Sequence, residues 1–256
     1  MKIYIDTDTS ELTFTENQIT KKINLYSKEA FEIISYQWLK TSWNQKYSYT
    51  FTWMGRPIIQ HPEDLLRLQE VIYTLKPDVI IETGVAHGGS LILYASLLKA
   101  MGKNGHVVGI DIEIRPHNRN ALENHELASI ITLIEGNSIA EDIVNKVASK
   151  IQPGQTVLII LDSDHSYAHV MAELDAYKHL VTIGSYIIST DGIMREVFDV
   201  PRGSLTWKSD NPATAAEDFI KLNPQFSIET PKWLFNESEL SKNITTWPSS
   251  WIKRNS

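Results

Sequence analysis

Two stretches of this chain concentrate residue types that bind or activate ligands. The first runs from Glu82 through Gly84, Gly88 and Gly89 to Ser90 and is completed by Asp111. Glycines at these positions let the backbone approach a ligand where a Cβ would collide. A helix starting near Ser90 would aim free N–H groups at the same space. Asp111 lies 22 residues after Gly89, close to the ~20-residue offset at which an acid accepts hydrogen bonds from a ribose diol. Ala86 breaks the G-x-G-x-x-G spacing. The turn therefore suits a ribose-bearing ligand without a pyrophosphate, of which S-adenosylmethionine is the common one. The plainer alternative is a βαβ turn with packing glycines and a surface Asp111.

The second stretch is in two parts, Asp162-Ser163-Asp164-His165 and Ser189-Thr190-Asp191-Gly192, each following an apolar run. Acids brought together from different strands repel unless a cation sits between them. Oxygen ligands without thiolates favour a hard ion such as magnesium. A hydroxyl beside that ion becomes more acidic, and His165 is suited to take its proton at neutral pH. Asp164 has a competing role as a helix cap. His165 and His169 form His-x-x-x-His, but Ser166 stands where a metalloprotease needs Glu, so His169 reads as a helix-surface or core histidine. An Asp/His iron triad is a further alternative.

These residues need elements that gather them. Short apolar runs at 78–82, 106–111, 130–134, 156–162, 184–190 and 226–229 read as strands. Helices are expected near 62–75, 90–101, 116–126, 139–150, 166–180 and 213–221, the first with Pro62 in its opening turn. Apolar strands alternating with helices predict an α/β, Rossmann-like, doubly wound and mostly parallel sheet covered on both faces. Its carboxyl edge would then collect Gly84, Asp111, Asp162 and Asp191.

Ile19 to Trp43 carries apolar residues at helical spacing (Ile23, Tyr26, Phe31, Ile34, Trp38), predicting one or two amphipathic helices. Residues 47–59 are aromatic and loop-like, and 200–256 are loop-rich with four tryptophans, which are expected to pack. The expected organisation is a helical N-terminal arm and lid (1–60), a cofactor-binding domain (61–200) and a C-terminal extension packing on it (201–256).

The chain has 256 residues, 42% hydrophobic and 21% charged, enough for a normal core. A net charge of −7 gives no broad basic field for nucleic acid. No apolar run approaches the length of a membrane span, and Met1–Asp6 is too polar for a signal peptide, so a cytoplasmic location is expected. The absence of cysteine excludes thiolate catalysis and cysteine zinc sites.

The stretches 53–64 (Trp-Met-Gly-Arg-Pro-Ile-Ile-Gln-His-Pro-Glu-Asp), 76–84, 88–90 and 162–166 resemble the cephalosporin hydroxylase family. Its members are similar to macrocin-type and rhamnosyl sugar O-methyltransferases. The resemblance runs from about residue 45 to about 195. It implies a class I methyltransferase fold using S-adenosylmethionine and magnesium. Carried over by position, Glu82, Gly84 and Asp111 would hold the cofactor, with Gly88 and Ser90 in the same turn. Ser138 would sit near the adenine. Asp162 and Asp191 would bind magnesium, Asp162 also bordering the cofactor, and His165 would be the general base. The family often has an acidic pair where this chain has Thr190-Asp191. Thr190 at that metal position removes one formal charge, so that either magnesium binding is weaker or Asp164 compensates.

The expected function is O-methyl transfer to a hydroxyl of a sugar or of a glycosylated natural product or lipid. The alternatives are a non-catalytic cofactor-binding partner in a biosynthetic complex and an iron hydroxylase. Self-association into a homo-oligomer is expected from the N-terminal arm and the aromatic tail.

Overall fold

The computed structural model describes residues 1–256. It begins with an antiparallel meander of β1 (Lys2–Asp6), β2 (Glu11–Glu16) and β3 (Ile19–Asn24). This corrects the expected helix at 19–24. Strand β2 alternates buried Leu12 and Phe14 with outward Thr13 and Thr15, the period of a half-buried strand. Asn17 and Gln18 join it to β3 at φ of 49° and 66°, the left-handed pair that a tight hairpin requires. The helical spacing is realised from residue 28 onward as α1 (Lys28–Asn44), capped by Ser27, whose hydroxyl accepts from Ala30 N–H. The aromatic segment after it is a small hairpin, β4 (Phe51–Trp53) and β5 (Arg56–Ile58), turned by Met54-Gly55.

From α2 (Pro62–Leu75) the chain alternates strand and helix. The strands are β6 (Val79–Thr83), β7 (His106–Asp111), β8 (Ile131–Glu135), β9 (Val157–Leu161) and β10 (Tyr186–Ser189). Between them lie α3 (Gly89–Ala100), α4 (Pro116–Glu123), α5 (Glu141–Ala148) and α6 (Tyr167–Tyr177). Helix α7 (Pro212–Leu222) leads to β11 (Phe226–Ile228) and finally β12 (Trp251–Arg254). The seven-stranded sheet has the order β11-β12-β10-β9-β6-β7-β8. Strands β6 to β10 pair in parallel, while β12 runs antiparallel to both its neighbours. Sequence reading did not anticipate β12, which binds the last residues of the chain into the sheet.

The pleat sorts the core. Ile80, Val107, Leu158, Ile160 and Ile188 pack with α2, α3, α4 and the tail residues Trp247 and Trp251. Val79, Ile81, Val108, Ile110, Ile159 and Ile187 pack with α5, α6 and α7. Burial on both faces explains why these strands read as continuous apolar runs. The chain leaves β6 towards β7 and β8 on one side, then returns to the other side as β9 and β10. The crevice between the carboxyl ends of β6 and β9 is therefore the topological switch point, where open α/β sheets bind ligands. No helix is long and apolar enough to cross a membrane.

Candidate active site

Glu82 and Gly84 close β6, and Asp162 follows β9, so adjacent strands bring them together. Gly84 adopts φ +91°, and a Cβ there would lie 2.0 Å from the Asp162 carbonyl oxygen. Only glycine lets the two loops touch. Glu82 is fully buried and accepts from Ser90 Oγ at 2.6 Å and Tyr94 OH at 2.8 Å. Burial, reinforced by the nearby Asp162, pushes its carboxyl up to about 8 despite those two donors.

The loop that follows is fastened from three directions. Asp111 Oδ2 accepts from Val85 N–H at 2.8 Å and Ala86 N–H at 3.1 Å. Asn118 donates to the Ala86 carbonyl at 2.9 Å. Arg56 donates to the His87 carbonyl at 3.0 and 2.7 Å and to Asn118 Oδ1 at 2.9 Å. Ala86 is held at φ +45°, a conformation that costs a non-glycine residue energy unless its surroundings impose it. Gly88, at φ +80°, starts α3 with Leu122 packed where its Cβ would be. Asp111 thus shapes the loop, and its other oxygen accepts from Glu113 N–H at 3.2 Å.

The acids on β9 and β10 converge. One ligand atom from each of Asp162, His165 and Asp191 lies within 4.8 Å of the others. His165 Nε2 is 3.4 Å from Asp191 Oδ2. Asp191 is itself in the left-handed region at φ +57°. Burial and then the Asp191 carboxylate push Asp162 up to about 7, opposed by His165, Thr190 and Gln60. Asp191 is likewise pushed to about 7, by burial and then by Asp64. Two neighbouring carboxylates that resist ionisation at neutral pH suit a divalent cation, whose charge would hold both ionised. The two carboxylates match a hard, oxygen-seeking ion, whereas the imidazole is a ligand type that suits zinc, copper, iron or nickel better.

Thr190 is fully buried, and its hydroxyl engages the Leu161 carbonyl at 3.0 Å and the Asp162 carboxylate. Asp164 lies outside the cluster. Its Oδ1 accepts from Ser166 N–H at 2.8 Å, while the Ser166 hydroxyl caps α6. The cap anticipated at Asp164 therefore falls two residues on, with Asp164 making the turn that leads into it. Ser138 is buried and donates to Glu173 Oε1 at 2.6 Å, and Ser163 donates to the same oxygen at 2.7 Å. His169 Nε2 sits 3.3 Å from Glu173, whose hydrogen bond is the main influence raising the His169 pKa. His169 is thus a partly exposed helix histidine paired one turn on.

Sequence reading missed several residues that shape the site. Gln60 Nε2 donates to Asp162 Oδ2 at 2.9 Å, and Tyr94, Asn118 and Arg56 hold Glu82 and the loop. Only the run 53–64 hinted at Arg56 and Gln60, and nothing local links Gln60 to a residue 102 positions away.

The family profile described as rhamnosyl O-methyltransferase/CmcI matches residues 45–255. The rhamnosyl O-methyltransferase of Mycobacterium leprae (strain TN) is 31% identical over 144 residues, 56% of this chain and 60% of that protein. That of Mycobacterium tuberculosis is 29% identical over 140 residues, 55% of this chain and 56% of that protein. The chain thus matches little more than half the length of these relatives. Among solved structures, apo CmcI aligns with TM-score 0.54 at 19% identity, covering 81% of this chain and 77% of that one. CmcI with Mg and SAM aligns with TM-score 0.52 at 20% identity, covering 80% and 77%. These structures share the fold. With a profile match that runs from the aromatic hairpin to the last strand, the chain belongs to the rhamnosyl O-methyltransferase/CmcI family.

Proposed function

We propose that this protein is an S-adenosylmethionine-dependent, magnesium-assisted O-methyltransferase acting on a hydroxyl of a sugar or of a glycosylated natural product or lipid. The observation that carries this reading is the cluster of Asp162, His165 and Asp191 beside the glycine loop at the switch point. The names of the mycobacterial relatives support a sugar hydroxyl as the acceptor.

When bound, S-adenosylmethionine supplies a sulfonium methyl group and magnesium supplies positive charge for acceptor oxygens. The loop from Gly84 to Ser90, Glu82 and Asp111 would hold the cofactor, with Ser138 on its adenine side. Asp162 and Asp191 would hold the metal. Thr190, engaged with Asp162, would orient that ligand rather than add a charge. His165, 3.4 Å from Asp191, would accept the hydroxyl proton, and Asp191 would stabilise the imidazolium that forms. Most of the rate gain would come from alignment and from stabilising the developing alkoxide. The segments 1–60 and 201–256 would close the acceptor side.

The test is transfer of labelled methyl from S-adenosylmethionine to methyl α-L-rhamnoside and a panel of other glycosides, with and without magnesium. Magnesium-dependent label in one of these acceptors is the expected result. Transfer that persists unchanged in excess chelator would remove the metal from the mechanism.

A further inference from the structure

His61 is 2% exposed, yet neither ring nitrogen has a hydrogen-bond partner. A buried imidazole left without partners has lost water at both a donor and an acceptor, so such a residue calls for a partner that binds. The ring is also held firmly. Trp38 meets it edge-on with centroids 5.4 Å apart, and Tyr47 does so at 6.0 Å. One flank faces an acid: His61 Nδ1 is 3.9 Å from Glu63 Oε2, itself buried and unpartnered. A small closure of that gap would fix Nδ1 as the protonated nitrogen and leave the other as an acceptor. Burial holds His61 below the usual histidine range, so the ring is neutral and able to accept.

His61 lines a cavity of about 50 Å³ that also borders Gln60, Asp191, Thr246, Tyr49 and Arg202. Tyr49 and Arg202 are exposed, whereas His61 and Thr246 are buried. The cavity is thus bordered by exposed side chains as well as by buried polar ones. Asp191 on its wall belongs to the metal-type cluster, and Gln60 donates to Asp162. The volume holds about three water-sized groups, enough for a hydroxyl with its carbon and too small for a sugar ring.

We infer that this cavity is a hydroxyl subsite for a polyol acceptor, in which His61 receives a hydroxyl neighbouring the one at Asp162, His165 and Asp191. The inference rests on the O-methyltransferase reading and names a residue that sets its acceptor preference. An acceptor must then present two hydroxyls on nearby carbons, and His61 is a positioning residue, separate from the base His165. A site built to bond a hydroxyl rejects an analogue lacking it far more strongly than an apolar pocket rejects an extra methylene.

The test is calorimetric titration of methyl α-L-rhamnoside into protein loaded with S-adenosylhomocysteine and magnesium, for wild type, His61→Phe and His61→Gln. His61→Phe keeps a ring of similar size without polar atoms, and His61→Gln keeps an acceptor. Loss of rhamnoside affinity by tenfold or more in His61→Phe, partial recovery in His61→Gln, and unchanged S-adenosylhomocysteine affinity in both are expected. Rhamnoside binding by His61→Phe at wild-type strength would show that the cavity holds only water and would overturn the subsite. So would parallel loss of both ligands in the two variants, which marks a structural role. Wild type that binds S-adenosylhomocysteine but no rhamnoside also overturns the subsite while leaving the cofactor site standing. Failure to bind S-adenosylhomocysteine brings down the reading beneath it.

Discussion

Gln60 Nε2 donates to Asp162 Oδ2 at 2.9 Å, so the segment before α2 reaches into the carboxylate cluster at the end of β9. With the Thr190 hydroxyl on Oδ1, both oxygens of Asp162 are oriented by neutral donors. Neutral donors aim a metal ligand without cancelling its charge, and outer-shell partners of this kind typically change metal affinity about 10- to 100-fold when removed. Gln60→Ala should weaken magnesium binding within that range. Titration of magnesium into both proteins checks this, and equal affinities would show that Asp162 needs no help from Gln60.

His165→Ala should lower methyl-transfer turnover by about 100-fold or more, the usual contribution of a positioned general base. Its affinity for S-adenosylmethionine should stay at the wild-type value, because the imidazole pairs with Asp191 at 3.4 Å and is not among the groups proposed to hold the cofactor. Wild-type turnover in this variant would remove His165 from the base role.

Gly84→Ala should disrupt the switch point. The new Cβ would lie 2.0 Å from the Asp162 carbonyl oxygen at a φ of +91°, so both steric overlap and backbone strain oppose it. A cost of roughly 2–4 kcal/mol is expected from overpacking of this kind, which for a chain of this size lowers Tm by roughly 5–15 °C. A thermal melt reads the change directly. An unaltered Tm would mean that the two loops separate easily.

The tail is clamped by a buried acid, and that clamp should make stability depend on pH. Asp64 accepts from Thr246 N–H at 2.8 Å, from Thr246 Oγ1 at 2.6 Å and from Thr245 Oγ1. Burial still pushes its carboxyl from 3.8 up to about 6. The folded state therefore keeps a proton that the unfolded chain has lost between about pH 4 and 6, and stability falls as pH rises through that window. The whole contribution is on the order of 2–3 kcal/mol. Urea unfolding of wild type and Asp64→Asn at pH 4.5 and pH 7 tests it. The wild type should lose more stability than the variant over this interval, and equal losses would contradict the assignment.

The central sheet was legible because its strands are buried on both faces and because a helix such as α2 carries its own start signal in Pro62. The strand ends were legible too, and with them the gathering of Glu82, Asp111, Asp162 and Asp191 at one edge of the sheet. The N-terminal meander was misread because Ile23, Tyr26 and Phe31 happen to fall at helical spacing, while the period-two signal of Leu12 and Phe14 was brief. Strand β12 carries four residues and gains its identity from Tyr186 to Ile188, its partners in the sheet. Gln60 and His61 escaped notice for a different reason: their roles depend on which residues the fold places opposite them, and no local spacing records that.

Binding of S-adenosylmethionine tests the central claim without requiring knowledge of the acceptor. Calorimetric titration with and without magnesium, on wild type and on Asp162→Asn, should show micromolar binding to wild type. Magnesium should strengthen that binding in the wild type and have no effect in the variant. A wild-type protein that takes up no S-adenosylmethionine under either condition would contradict the methyltransferase reading at its base.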